Sequence, residues 1–190
     1  MKVTSARLVC FSPTRTTERV LEAIAAGTAA RPVRRLDLTS PKATGGTFDV
    51  PAHELAIVGA PVYGGRIPPE AARRLRRVKG NLTAAVVVVV YGNRVYEDAL
   101  LELRDLVTET GFVPVAAGAF LGEHSFSTEA VPLAHGRPDA QDARGGGLWW
   151  ADPRGLRGAR RVGPASRAAG AGQPALQGGR LRTRCRAADA

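Results

Sequence analysis

Leu8-Val9-Cys10-Phe11-Ser12-Pro13-Thr14-Arg15-Thr16-Thr17-Glu18-Arg19-Val20-Leu21-Glu22-Ala23-Ile24-Ala25 decides the fold of this chain. Four apolar residues break into a hydroxyl-rich turn, and a helical alternation follows in which Val20, Leu21, Ile24 and Ala25 share a side. The reading is strand, turn, helix start. Free backbone N–H groups at a helix N-terminus, with the positive end of the helix dipole behind them, form a seat for a phosphate. The same hydroxyls also serve as turn and N-cap residues with no ligand at all. Both readings stay open on these residues alone.

Working outward, the helix is expected to run to about Ala30, followed by a strand over 33–38 and a Thr-, Ser-, Gly- and Pro-rich loop over 39–53. Leu55 to Ala60 is a buried strand that ends in Pro61-Val62-Tyr63-Gly64-Gly65. Pro69 to Arg77 is a helix with a basic face of Arg73, Arg74, Arg76, Arg77 and Lys79, expected to be solvated, with docking of an acidic partner as the alternative. Ala84 to Tyr91 holds five consecutive valines and suits a central strand covered on both faces. Tyr96 to Thr110 is an amphipathic helix closed by Gly111, and Phe112 to Phe120 a fifth strand, with a loop from Gly122 to Ser127. Strands alternating with helices predict an α/β fold with a parallel sheet whose ligand binds beyond the carboxyl ends of the strands. Residues 12–17, 61–66 and 91–96 lie at that edge.

The chain has 190 residues, enough for one domain with a real core. Its net charge of +10 is uneven: residues 1–142 carry 17 basic and 15 acidic side chains, whereas 143–190 carry 10 Arg against 2 Asp. The globular part is therefore nearly neutral, and its composition argues against a nucleic-acid partner. No apolar stretch approaches the roughly 20 residues of a membrane helix, so a soluble protein is expected. Cys10 and Cys185 form no CxxC pair, which fits reduced thiols and a cytoplasmic location.

Four segments together resemble the flavodoxin-like family, in the branch often fused to a ferredoxin-type iron–sulfur domain. Phe11 to Thr17 is similar to its phosphate loop; Ala60 to Arg66 and Tyr91 to Asp98 are similar to the loops that hold the isoalloxazine ring; Gly122-Glu123-His124-Ser125-Phe126-Ser127 is similar to a further segment of the branch. The resemblance covers about residues 3–142. It implies a doubly wound five-stranded parallel sheet of order 2-1-3-4-5 and FMN as cofactor, held by Ser12, Thr14, Arg15, Thr16, Thr17, Pro61, Val62, Tyr63, Gly64, Gly92, Asn93 and Tyr96. Tyr63 and Tyr96 are candidates for stacking on the ring, or else half-buried packing residues. His124 is a candidate ligand or proton donor, or a surface hydrogen-bonding residue. No metal site is expected, and the chain lacks the cysteines of an iron–sulfur cluster.

One departure concerns Arg15, which stands where the family pattern has glycine. A positive φ there is disfavoured for Arg, and its guanidinium can either pair with a phosphate or block the seat. A second departure is the tail. From Ala143 the sequence drops Lys, Glu, Ile, Phe, Tyr, Asn, His and Met and becomes Ala-, Gly- and Arg-rich. A basic disordered extension is one reading. A frameshift is the other: Trp149-Trp150 read one base over gives Gly-Gly, and Gly172 to Gly178 can be re-read as Gly-Asn-Pro-Pro-Tyr-Lys-Gly, similar to a segment of the branch. On that reading the last helix is missing or altered and 143–190 is irregular. The functional expectation is an FMN-binding electron-transfer module, as an oxidoreductase or carrier, with a redox partner protein or small acceptor. The alternatives are a binding or scaffold module of the same fold that has lost FMN, and nucleic-acid binding through the tail.

Overall fold

The computed structural model describes residues 3–41, 45–139, 142, 148–152 and 155–161, the last two segments at the level of the backbone. The elements follow the chain as β1 (Ser5–Cys10), α1 (Thr16–Ala26), β2 (Val33–Asp37), β3 (Phe48–Val50), β4 (Glu54–Pro61), α2 (Pro69–Leu75), β5 (Val78–Gly80), β6 (Thr83–Tyr91), α3 (Ala99–Glu109), β7 (Phe112–Leu121), β8 (Leu148–Asp152) and β9 (Gly155–Arg161).

β2, β1, β4, β6 and β7 lie side by side in that order, and each pairs in parallel with its neighbours. Counted along the chain without the short β3 and β5, the order is 2-1-3-4-5, as expected. The valine run makes β6 central because alternate residues serve opposite faces. Val86, Val88 and Val90 join Leu8, Cys10 and Ile57 beneath Val20, Leu21 and Ala25 of α1. Val87 and Val89 join Val9 and Val58 beneath Leu75 of α2 and Leu103, Leu106 and Val107 of α3. Burying both faces of so many β-branched side chains removes their surface from water, at roughly 25 cal/mol per Å². Gly59 sets how closely α1 can lie on β4. A Cβ there would stand 2.7 Å from Leu21 Cδ2 and 3.0 Å from Thr17 Cγ2.

Four differences from the sequence expectation have local causes. α1 stops at Ala26, where the Gly27 N–H closes the last turn on Ala23 and Ile24. α3 begins at Ala99 rather than Tyr96, because Glu97 has a positive φ of 43°, which a helix does not accept. The segment 39–53 is not all loop: β3 pairs in parallel with β5 in a two-stranded sheet, with Phe48 and Val50 on its inner side against the core. The main sheet also runs past five strands. β8 pairs antiparallel with β7, and β9 with β8, so 148–152 and 155–161 are strand where irregular chain was expected. An unpaired β7 edge offers a row of free N–H and C=O groups, and Leu148-Trp149-Trp150 has the residue types that strands favour. Residues 162–190 lie outside the described residues.

The basic face of α2 is also not uniformly solvated. Arg73 is exposed and pairs with Glu70 at 2.6 Å, whereas Arg74 is buried and directed inward. Together these two cations hold the Glu70 carboxyl down at about 2.

Candidate functional site

Because β1, β4, β6 and β7 are parallel, their carboxyl ends open at one edge of the sheet, and the chain reverses its direction of winding at β1. A cleft of about 420 Å³ lies there. Thr14, Thr16 and Thr17 line it from the start of α1; Pro61, Val62, Tyr63 and Gly64 from the end of β4; Val90, Tyr91 and Gly92 from the end of β6; and Gly122 to Phe126 from the segment after β7.

The loop between β1 and α1 divides its hydrogen-bonding groups in two. Ser12 spends its own inward. Its N–H donates to Thr39 Oγ1 at 2.7 Å, its Oγ accepts the Glu18 N–H at 3.2 Å, and its carbonyl accepts the Arg15 N–H at 3.1 Å. The backbone N–H groups of Thr14, Thr16 and Thr17 donate to no group among the described residues. Thr16 and Thr17 are orphan donors of the helix start, Thr14 stands just before the N-cap Arg15, and all three residues line the cleft. Thr14 Oγ1 and Thr16 Oγ1 share a hydrogen bond at 3.1 Å, in which one hydroxyl donates and the other keeps its own proton to give.

Arg15 takes the conformation that disfavours it, φ 62° and ψ 3°, and supplies no side-chain cap to α1. Its guanidinium turns away from the threonines to Glu18 Oε2 at 3.0 Å, three-quarters exposed. It neither pairs within the threonine-lined cleft nor blocks it. Arg15 and Ser12 instead line a second cleft of about 410 Å³, with Cys10, Glu18, Arg35 and Asp37 among its walls. There Arg35 pairs with Glu18 at 2.9 Å and also with Glu22. Burial, and then the Glu18 charge, push the Cys10 thiol up to about 12, so it carries no thiolate at neutral pH.

The remaining expected residues separate as well. Tyr63 is half-exposed on the rim of the first cleft, in position to offer a ring face. Asn93 (φ 56°) and Tyr96 line neither cleft. Tyr96 packs on Tyr91 at 5.4 Å between centroids, and burial raises the Tyr91 phenol. The outer wall comes from the segment after β7, where His124 is a candidate from the sequence and Phe126 has no role assigned from it. His124 lies so close over Gly92 that a Cβ there would stand 2.5 Å from its Cδ2. His124 Nδ1 accepts the Phe126 N–H at 3.1 Å, which leaves Nε2 as the protonated nitrogen of the neutral ring. Phe126 packs on that imidazole at 5.2 Å and is largely exposed. Gly122 lets the end of β6 and the start of α1 pack closely against it: a Cβ there would meet Val90 Cγ1 at 2.7 Å and Thr16 Cγ2 at 2.9 Å. The signal for this wall in the sequence is its place after the fifth strand, on the same edge as the other loops.

The cleft therefore joins a donor-rich, positively polarised end to a flat apolar end walled by aromatic rings. Its strand order and its position at the reversal point are those of one known arrangement. The fold is flavodoxin-like. No family model and no curated protein matches the sequence. Among solved structures, the chain is similar to the Flv1 flavodiiron core from Synechocystis (17% identity, TM-score 0.46), covering 68% of this chain and about a third, 32%, of that one. It is also similar to an NADH:FMN oxidoreductase in its apo form (15%, TM-score 0.45, 72% of this chain and 98% of that one). A third likeness is to Megasphaera elsdenii flavodoxin in its two-electron reduced form (15%, TM-score 0.42, 64% and 88%). Among the described residues no helix is long and apolar enough to cross a membrane, and no three His, Cys, Asp or Glu side chains gather as metal ligands.

Proposed function

We propose that this chain is an FMN-binding module that passes electrons to or from a partner protein or a small acceptor. The observation that carries the reading is that Thr14, Thr16 and Thr17, whose backbone N–H groups are unpaired among the described residues, line the same cleft as Tyr63, His124 and Phe126. A phosphate monoester fits the donor-rich part, since each hydrogen bond to a charged group contributes about 1.5 to 3 kcal/mol. A flat aromatic ring suits the part that Tyr63, His124 and Phe126 line, with His124 seated directly over Gly92. Bound flavin supplies the redox chemistry. Thr14, Thr16 and Thr17 would anchor its phosphate, and Tyr63, His124 and Phe126 would wall its ring.

The test is a visible-absorbance titration of the purified chain with FMN and with riboflavin, which lacks the phosphate. Saturable binding of FMN, tighter than that of riboflavin, is the expected result. Absence of any spectral change in a folded sample would end the reading. The setting is taken as reduced and cytoplasmic on the grounds of cysteine usage: Cys10 is a free, buried cysteine and the chain has no CxxC pair. The proposal further takes the sequence from 143 onward as out of frame, and with it the lost iron–sulfur extension of the family branch. Sequencing the gene across codons 138 to 150 tests this, and an intact frame with no homologous sense in the shifted one would refute it.

A further inference from the structure

Arg74 stands on α2 and lines neither cleft. Its side chain is only 9% exposed, although its neighbours Arg73 and Glu70 reach solvent. Nη1 donates to three carbonyl oxygens of one turn: Leu38 at 2.6 Å, Thr39 at 2.9 Å and Ser40 at 2.9 Å. Nε donates to Glu70 Oε1 at 2.6 Å, and the guanidinium carbon lies 5.8 Å from the centre of the Phe11 ring. A planar fork is needed to reach the carbonyls and the carboxylate together, and a lysine ammonium on a flexible stem does not reproduce that geometry.

The turn it clamps is the one that holds the loop after β1. Thr39 Oγ1 accepts the Ser12 N–H at 2.7 Å, and the Thr39 N–H is itself fixed on Asp37 Oδ1 at 2.7 Å. Ser12 Oγ in turn accepts the Glu18 N–H in the first turn of α1. A continuous series of hydrogen bonds thus runs from Glu70 and Arg74 through residues 38–40 to Ser12 and the start of α1. With the Ser12 groups engaged on that side, the donors left over are those of Thr14, Thr16 and Thr17, residues that line the first cleft.

We propose that Arg74 is a positioning residue for a phosphate-bearing ligand: through Thr39 and Ser12 it orients the threonine donors without touching the phosphate. The inference rests on the FMN reading of the cleft. Its signature is selective, because a loosened loop weakens the phosphate contacts and leaves the aromatic end alone.

The experiment measures dissociation constants for FMN and riboflavin in the full chain and in Arg74→Lys and Thr39→Val. Val keeps the shape of Thr but removes the oxygen that accepts the Ser12 N–H. Each variant is expected to bind FMN at least about fivefold more weakly while its riboflavin affinity stays within twofold, and the two changes combined are expected to cost little more than either alone. Equal loss of both ligands would show a merely structural role and overturn the proposal. An unchanged preference for FMN in both variants would also overturn it, with the FMN reading intact. Should Arg74→Lys fail to fold by circular dichroism, Thr39→Val decides. A parent chain that binds neither ligand removes the FMN reading and this inference together.

Discussion

Two clefts of nearly equal volume, about 420 and 410 Å³, flank the same loop between β1 and α1, and only one has the chemistry of a binding site. In the second, the charged groups have found one another. Arg15 and Arg35 are both on Glu18, Asp37 accepts the Thr39 N–H, and Ser12 has committed its N–H and its hydroxyl. In the first, three backbone donors at and just before a helix start remain unspent beside two hydrogen-bonded hydroxyls and a wall of aromatic rings. Volume does not separate the two. What separates them is whether the polar groups are already satisfied, since a ligand must repay any hydrogen bond it displaces.

The sharpest way to break this comparison is to put a negative charge in each cleft in turn. Thr16→Asp places a carboxylate where the phosphate is expected, and like charges so juxtaposed cost several kcal/mol. FMN affinity is expected to fall by about a hundredfold or more, that of riboflavin far less, in a fluorescence titration. Arg35→Glu reverses a charge in the second cleft and is expected to leave both affinities within about threefold. Equal effects of the two changes would erase the distinction between the clefts.

A smaller effect sharpens the account of the second cleft. Cys10 lies on its floor, with its thiol pushed by burial from 9.0 to about 12. The folded state thus keeps its proton where the unfolded chain loses it. Cys10 contributes fully below about pH 9, and its contribution is lost as pH rises through that window towards 12. Urea unfolding between pH 8 and 11 is expected to fall more steeply for the parent than for Cys10→Ala. In a Cys185→Ser background, the native chain at pH 8 is expected to resist alkylation until denaturant is added. Rapid labelling of the native chain would show that Cys10 is open to solvent.

How much of this was legible beforehand differs from residue to residue. The valine run and the turns that follow each strand gave the parallel sheet, because period and burial are written directly into side-chain type. The threonines were legible as a helix start. Arg74 was not: four arginines and a lysine within seven positions read as one solvated face, and its three carbonyl partners come from a turn more than thirty residues earlier. Asn93 and Tyr96 were assigned to the site through the family resemblance, and neither lines a cleft; Asn93 and Glu97 in that loop have positive φ values. His124 and Phe126 complete the wall only because β7 brings their loop against Gly92, a contact that no local pattern encodes.

The smallest expected effect tests the divided loop itself. Arg15→Gly relieves a left-handed conformation that costs a non-glycine residue roughly 1 to 2 kcal/mol, and forfeits only an exposed, solvent-screened pair with Glu18. A gain of up to about 1 kcal/mol in chemical denaturation is expected, with FMN affinity unchanged within about threefold. A large change in affinity would place the Arg15 side chain in the ligand's cleft.

The most direct measurement follows backbone amide NMR signals while FMN is added. The largest shifts are expected at Thr14, Thr16, Thr17, Gly92 and Gly122, with Arg35, Asp37 and Thr39 little changed. Shifts centred on Arg35 to Thr39 would place the ligand in the second cleft and contradict the central claim.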